Sequence, residues 1–430
     1  MGAVANCATS VTLGCVFCCE GCNAEKLRNA YAFLPPRPSY TVEEGVDGEQ
    51  VGRLRFRTDA LGGSEFYRNA ASHSSVHFVE TAFGERVPVV WVWPPSASSS
   101  RWCAAANGEA LSPRRAKSRP LTLLHCHGNA TDIGLMLGMY FELARRLDCE
   151  VVGVEYTGYG AATGSPSPAR AIADAEAAYE LLVGVGVPPE RIIAYGQSVG
   201  SGPALHLAAR RRLGGVVLHS PMLSGIKVVD PRPNACCRPS CVYRCFDFFK
   251  NYRVVRSAAC PVFVVHGLAD DIVPPHHGQR LAASAPGCFR WPGFFPAGAG
   301  HNDVVEKGST AYFGVLLAFL RHVREAAEAT AASGPIVGLV GKPEQQEMAE
   351  RWNGTIAWQS DGVDGAAPPS PDGAVVLVGP AGNHAEPMVG PGDGRYAQLR
   401  RGGGGAQQML TRPSGDARTL SDAGVHRSQS

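Results

Sequence analysis

The pentapeptide Gly196-Gln197-Ser198-Val199-Gly200 has the form G-x-S-x-G, which holds a serine hydroxyl on a sharp turn between a strand and a helix. Its two glycines leave room for neighbouring backbone. A serine hydroxyl is a poor nucleophile until a base takes its proton. The expected base is His301, in the glycine-rich run Gly298-Ala299-Gly300-His301-Asn302-Asp303 just before the last helical segment. A carboxylate must then hold the imidazole tautomer and stabilise the imidazolium. Asp270, in His266-Gly267-Leu268-Ala269-Asp270-Asp271-Ile272-Val273, sits in a G-x-x-D-x-x-V frame, with the adjacent Asp271 as the alternative. The order Ser, Asp, His along the chain separates this set from the chymotrypsin-like and subtilisin-like arrangements.

Acyl chemistry at such a serine needs two N–H donors aimed at the developing oxyanion. One is expected from Val199, directly after the nucleophile. The other is expected from Asn129, in His125-Cys126-His127-Gly128-Asn129-Ala130, a loop that follows a short apolar strand. His127 is expected to orient that loop rather than act as a base. Tyr156-Thr157-Gly158-Tyr159-Gly160 follows another strand end and reads either as a pocket mouth or as a glycine-rich turn. No complete zinc signature is present: Cys236, Cys237, Cys241 and Cys245 contain no C-x-x-C pair, and the pairs Cys15/Cys18 and Cys19/Cys22 run directly into each other with no histidine nearby. No metal or other cofactor is implied.

The elements that position these residues alternate in type. Strands are expected at Val87–Trp93, Leu121–His125, Val151–Tyr156, Ile192–Tyr195, Val216–His219 and Val262–His266. Helices are expected at Ile133–Leu147, Ala169–Leu182, Gly200–Arg211 and Thr310–Glu325, with another able to start near Pro274-Pro275. Alternation of this kind predicts an α/β domain with a mostly parallel central sheet covered by helices on both faces. With the serine turn and the residue order above, that is the α/β-hydrolase fold.

Three regions are expected: a Cys-rich head over residues 1–38, the hydrolase domain over 39–325, and a Gly-, Ala-, Pro- and Gln-rich tail over 326–430 with too few apolar residues to offset its ordering entropy. The stretch Ser96–Pro120 reads as a surface insertion. Net charge is +2, which gives no electrostatic footprint for nucleic acid. No apolar run is long enough for a membrane-spanning helix, and the N-terminus lacks the basic and apolar regions of a cleaved signal peptide. Five of the 14 cysteines fall in the first 22 residues, a spacing unlike a secreted disulfide framework, so a reducing cytosolic setting is expected.

Several segments together resemble one family. HGNATD, EYTGYGAATG, YGQSVGSG, LHSPMLSG, HGLADDIV and GAGHNDV occur in the order and spacing of the α/β-hydrolase domain-containing protein 17 family, and GCVFCCEGC followed by AFLPPRPSYTV is similar to its head. The resemblance spans roughly residues 14–325. It implies a palmitoyl-protein thioesterase that removes long acyl chains from the cysteines of S-acylated membrane proteins, with Ser198, Asp270 and His301 at the catalytic positions. It also implies that Cys7, Cys15, Cys18, Cys19 and Cys22 are S-acylated and hold the protein on the cytoplasmic face of the plasma membrane or endosomes. Independent physics agrees, since one lipid chain binds membranes marginally and several anchor stably. The sequence departs from the family at the Ser96–Pro120 insertion, at the cysteines of Asn234–Cys245, in the long tail, and at Glu155 where an aspartate is usual. Asn6 also occupies the position where N-myristoylation of Gly2 favours Ser or Thr. Two rival readings are a carboxylesterase or lipase acting on lipid esters, and a catalytically idle membrane scaffold.

Overall fold

Short runs rich in Val, Ile and Leu form the strands, because branched side chains pack well on a pleated surface. The computed structural model describes Asn29 and residues 32–43, 51–56, 64–97, 120–229 and 247–332. Among these, nine strands make one sheet: β1 (Tyr40–Glu43), β2 (Val51–Phe56), β3 (Ser74–Glu80), β4 (Arg86–Val92), β5 (Thr122–Cys126), β6 (Glu150–Val154), β7 (Ile192–Gln197), β8 (Gly215–His219) and β9 (Val262–Val265). Their spatial order is β1-β2-β3-β4-β6-β5-β7-β8-β9. Strands β1 to β4 form an antiparallel meander, and β4 runs antiparallel to β6. From β6 to β9 every pairing is parallel, and this half carries the chemistry-bearing loops.

Every residue of β5, β6, β8 and β9 is buried, as expected for strands covered on both faces. The helix Ile133–Leu147 starts after Asp132, whose carboxylate accepts from the Leu135 N–H at 2.9 Å and caps the first turn. Its Ile133, Leu137, Tyr140 and Ala144 share one core with Tyr312, Leu316 and Phe319 of the helix Val304–Ala332. The helix Pro168–Gly184, capped by Ser167 with proline in its first turn, shares the other core with the helix Ser201–Arg210. The helix His276–Ser284 follows the Pro274-Pro275 pair.

The folded body reaches beyond the expected limits of 39 and 325. Phe33 is buried, with ring contacts to Tyr156, Tyr159 and Phe249 at 6.1, 6.3 and 6.4 Å. The Pro-rich run around it has no strand or helix period, so its burial has no periodic signature in sequence. At the other end the final helix continues to Ala332, with Ala327 buried, and breaks at Ser309, where φ is 41° and ψ −123°. The head cysteines Cys7, Cys15, Cys18, Cys19 and Cys22, residues 98–119 of the insertion, the Cys236–Cys245 cluster and the tail from residue 333 lie outside the described residues. No helix among the described residues is long and apolar enough to cross a membrane.

Candidate active site

Parallel strands deliver their C-terminal loops to one edge of the sheet, and three of these loops converge there. Strand β7 ends at Gln197, and Ser198 turns sharply with φ at 52°, in the left-handed region that a side chain rarely adopts. The flanking glycines make that turn possible. A Cβ on Gly196 would lie 2.5 Å from the Gly200 carbonyl oxygen, and one on Gly200 would overlap the carbonyl oxygen of Cys126 at the end of β5. The turn is fastened from behind, where the Ser201 hydroxyl donates to the Ser198 carbonyl at 2.6 Å. Asn251 in turn donates to the Ser201 Oγ at 3.0 Å and to the Met222 carbonyl at 2.9 Å.

Asp270 follows β9. His301 follows residues 290–294, which join the sheet edge through isolated parallel bridges, Val262 with Arg290 and Val265 with Phe294. His301 Nε2 lies 3.0 Å from Ser198 Oγ, and its Nδ1 lies 2.7 Å from Asp270 Oδ2. Asp270 and His301 are 5% and 8% exposed, so this relay is shielded from water on its acid side. Asp271, the alternative acid, is exposed, whereas the Asp270 Oδ1 accepts the N–H groups of Ile272 at 3.0 Å and Val273 at 2.8 Å.

Behind Asp270 stands His266, to which the sequence alone assigns no role. Its Nε2 donates to the Val273 carbonyl at 2.8 Å and lies 3.0 Å from Asp270 Oδ2. A carbonyl only accepts, so the proton is on Nε2. Burial works to raise the Asp270 pKa, but donation from His266 and His301, and the charge of His301, outweigh it and hold the carboxyl below the usual carboxylate range. Beneath the relay, His219 bonds Tyr195 at 2.7 Å, and Tyr195 bonds Tyr312 at 2.8 Å. Burial, then the nearby His301 and His266, push His219 down to about 3, so it stays neutral beside His301.

The His127–Ala130 turn abuts Ser198: a Cβ on Gly128 would be 3.9 Å from the Ser198 Cβ. His127 is fully buried with both ring nitrogens engaged, Nδ1 with the Gly128 carbonyl at 2.8 Å and Nε2 with Glu155 Oε1 at 3.0 Å. It therefore orients the loop, and Glu155 acquires a consequence that its sequence position did not reveal. Its Oε2 also accepts from the Tyr40 hydroxyl at 2.7 Å and the Ile133 N–H at 3.2 Å. The Tyr156–Gly160 turn is likewise part of the scaffold, with the Tyr156 hydroxyl donating to the His127 carbonyl at 2.7 Å and Thr157 donating twice to Asp174 at 2.8 Å. Asn129 and Val199 flank the serine from two different loops. Chemically, the arrangement offers a nucleophile, a base with its outer nitrogen free to accept a proton, and a buried anion that keeps that tautomer.

Comparison with known proteins places the chain beside one group. It is 32% identical over 298 residues to alpha/beta hydrolase domain-containing protein 17B of Xenopus laevis, covering 69% of this chain and 91% of that protein. The Homo sapiens protein of the same description matches at the same identity and the same shares of both chains. An esterase of Pyrococcus furiosus aligns over 67% of this chain and 98% of its own, with 13% identity and a TM-score of 0.42. No family model matches the chain.

Proposed function

The chain belongs to the alpha/beta hydrolase domain-containing protein 17 family, and from that membership we propose that it is a serine hydrolase that removes long-chain acyl groups from S-acylated cysteines of membrane proteins. The observation that carries the hydrolase part is the continuous contact from Asp270 through His301 to the Ser198 hydroxyl. The thioester specificity follows the motif resemblance. Two exposed apolar side chains beside the site, Leu34 next to Asn129 and Ile272 two residues past Asp270, suit an acyl chain arriving from a lipid surface.

In the first step Ser198 Oγ attacks the thioester carbonyl while His301 Nε2 takes its proton. The N–H groups of Asn129 and Val199 hold the oxyanion, each worth about 10²- to 10³-fold in rate by analogy with single donors in other hydrolases. The C–S bond breaks and the cysteine leaves as thiolate, an easy departure because a free thiol has a pKa of only about 8.5; the proton on the His301 imidazolium then passes to that thiolate or to solvent, which returns the imidazole to its neutral form. In the second step His301 deprotonates a water that attacks the acyl-serine, giving the fatty acid and the free hydroxyl.

Rates on an S-palmitoylated peptide and on a monoacylglycerol, measured side by side with full-length protein, test the substrate class. The proposal expects the thioester to be cleaved with the higher kcat/KM. Preference for the glyceride would convert the protein to a lipid esterase, and inactivity towards both would favour the idle scaffold.

The five head cysteines, once acylated, supply the membrane attachment, at about 0.8 kcal/mol per buried CH₂ for each chain. Replacing Cys7, Cys15, Cys18, Cys19 and Cys22 by Ser is expected to move the protein from the membrane pellet to the soluble fraction. A variant that stays in the pellet would place the anchor elsewhere.

A further inference from the structure

The His127–Ala130 turn beside Ser198 is held mainly by groups that lie far away in sequence. Asn129 spends its whole side chain on such contacts. Its Oδ1 accepts from the Leu34 N–H at 2.8 Å, 95 positions earlier in the chain, and from the Tyr159 hydroxyl at 2.8 Å, besides the adjacent Ala130 N–H at 3.0 Å. Its Nδ2 donates to the Ala32 carbonyl at 3.2 Å. Five residues further along the same N-terminal segment, Ser39 donates from its N–H and its hydroxyl to the two oxygens of Asp132, at 2.7 and 2.5 Å. Tyr40 next to it donates to Glu155, the partner of His127. A Cβ on Gly134 would lie 2.5 Å from Ser39 Oγ, so the segment presses directly on the start of the helix that follows the turn. The turn needs this support, because Ala130 has φ at 54°, a conformation that an alanine keeps only where its surroundings impose it.

We propose that residues 32–40 form a strap that positions the Asn129 N–H as an oxyanion donor, acting through the Asn129 side chain; the proposal rests on the serine hydrolase reading above. An oxyanion donor has to sit within a few tenths of an ångström of its place to be effective. The side-chain amide and the backbone N–H of Asn129 share one Cα, so clamping the first restricts the second. Phe33, buried against Tyr156, Tyr159 and Phe249, locks the strap to the body. Leu34, Asn129 and Tyr159 are thus positioning residues. Leu34, Tyr159 and the Asn129 side chain touch no reacting atom in this scheme; Asn129 meets the oxyanion only through its main-chain N–H.

The test uses full-length protein with an aryl octanoate and its thionoester counterpart, whose C=S sulfur accepts poorly from an oxyanion donor. Asn129→Ala keeps the backbone N–H and removes the clamp. It is expected to lower kcat on the oxygen ester about 10- to 100-fold, the cost of a misplacement near 1 Å, with KM within about twofold, and to shrink the ratio of ester to thionoester rates. Phe33→Ala is expected to do the same from the strap side, and the two losses should fall short of additive in the double variant because one device is broken twice. Tyr159→Phe, which removes one hydroxyl and keeps the ring, is expected to lower kcat about threefold with the same sign on the ratio, and it reads the same effect if Phe33→Ala fails to fold. Folded variants with wild-type kcat and an unchanged ratio, or losses confined to KM or melting temperature, would overturn the strap while leaving the hydrolase reading intact. A wild-type chain without activity on either ester would remove the hydrolase reading and the strap with it.

Discussion

Full-length protein carrying Ser198→Ala is expected to lose all labelling by a fluorophosphonate probe and to fall about 10⁶-fold in turnover, the scale seen when a triad nucleophile is deleted elsewhere. The hydroxyl lies 3.0 Å from His301 Nε2, in place to give up its proton and attack a carbonyl, and alanine offers no substitute. The fold should survive the change. Serine already bears the left-handed backbone at this position, with φ at 52°, so an alanine meets no new strain. The lost contact is one hydrogen bond at a partly exposed site, worth about 0.5–1.5 kcal/mol. The melting temperature should therefore move by a few degrees at most. A variant that still takes the probe would show that the nucleophile is another residue.

The second large effect is expected from Asp270→Asn, at about 10⁴-fold in kcat by analogy with the same change in a serine protease triad. The surroundings of Asp270 dictate why. Its Oδ1 meets two backbone N–H groups, and its Oδ2 meets the imidazoles of His266 and His301. An asparagine would point its carbonyl at Ile272 and Val273 and its amide at the histidines. That amide would donate to His301 Nδ1, moving the ring proton to Nε2, where it can no longer accept from Ser198. It would also oppose the Nε2–H of His266.

The same site predicts a pH dependence of stability. The Asp270 carboxyl is held below its ordinary range in the fold, so its ionised form stabilises the protein. That contribution is complete above the unfolded value, about 3.9, and is lost as pH falls through the lower folded value. Asp270→Asn should thus lower the melting temperature at neutral pH, with the deficit narrowing only in strong acid. A deficit that already vanishes near pH 6 would contradict the bonding described here.

The core of the site was legible because its chemistry is local. A G-x-S-x-G between an apolar strand and a helix, and one histidine in a glycine-rich loop, carry their meaning within a few residues. The G-x-x-D-x-x-V frame favours Asp270 over Asp271 locally, but what holds that carboxylate inward after β9 is not local: it is bonded by His266 and by the N–H groups of Ile272 and Val273. The strands β1, β2 and β3 at one end of the sheet were likewise not legible in the sequence. Their polar and charged positions, as in Ser74–Glu80, resemble loop composition, and they become strands by pairing with β4 and with one another.

Residue types and their order therefore determined the α/β class, the parallel half of the sheet and which hydroxyl, imidazole and carboxylates were available, because periodicity and turn chemistry act over short distances. Tertiary structure alone decided how those groups are held. The pairing of Glu155 with His127, the backing of Asp270 by His266 and the clasp between Asn129 and Leu34 join residues that are remote in sequence or whose facing is set by packing. No local pattern encodes them, since a side chain's partner across the sheet edge is fixed only once the strands have taken their places.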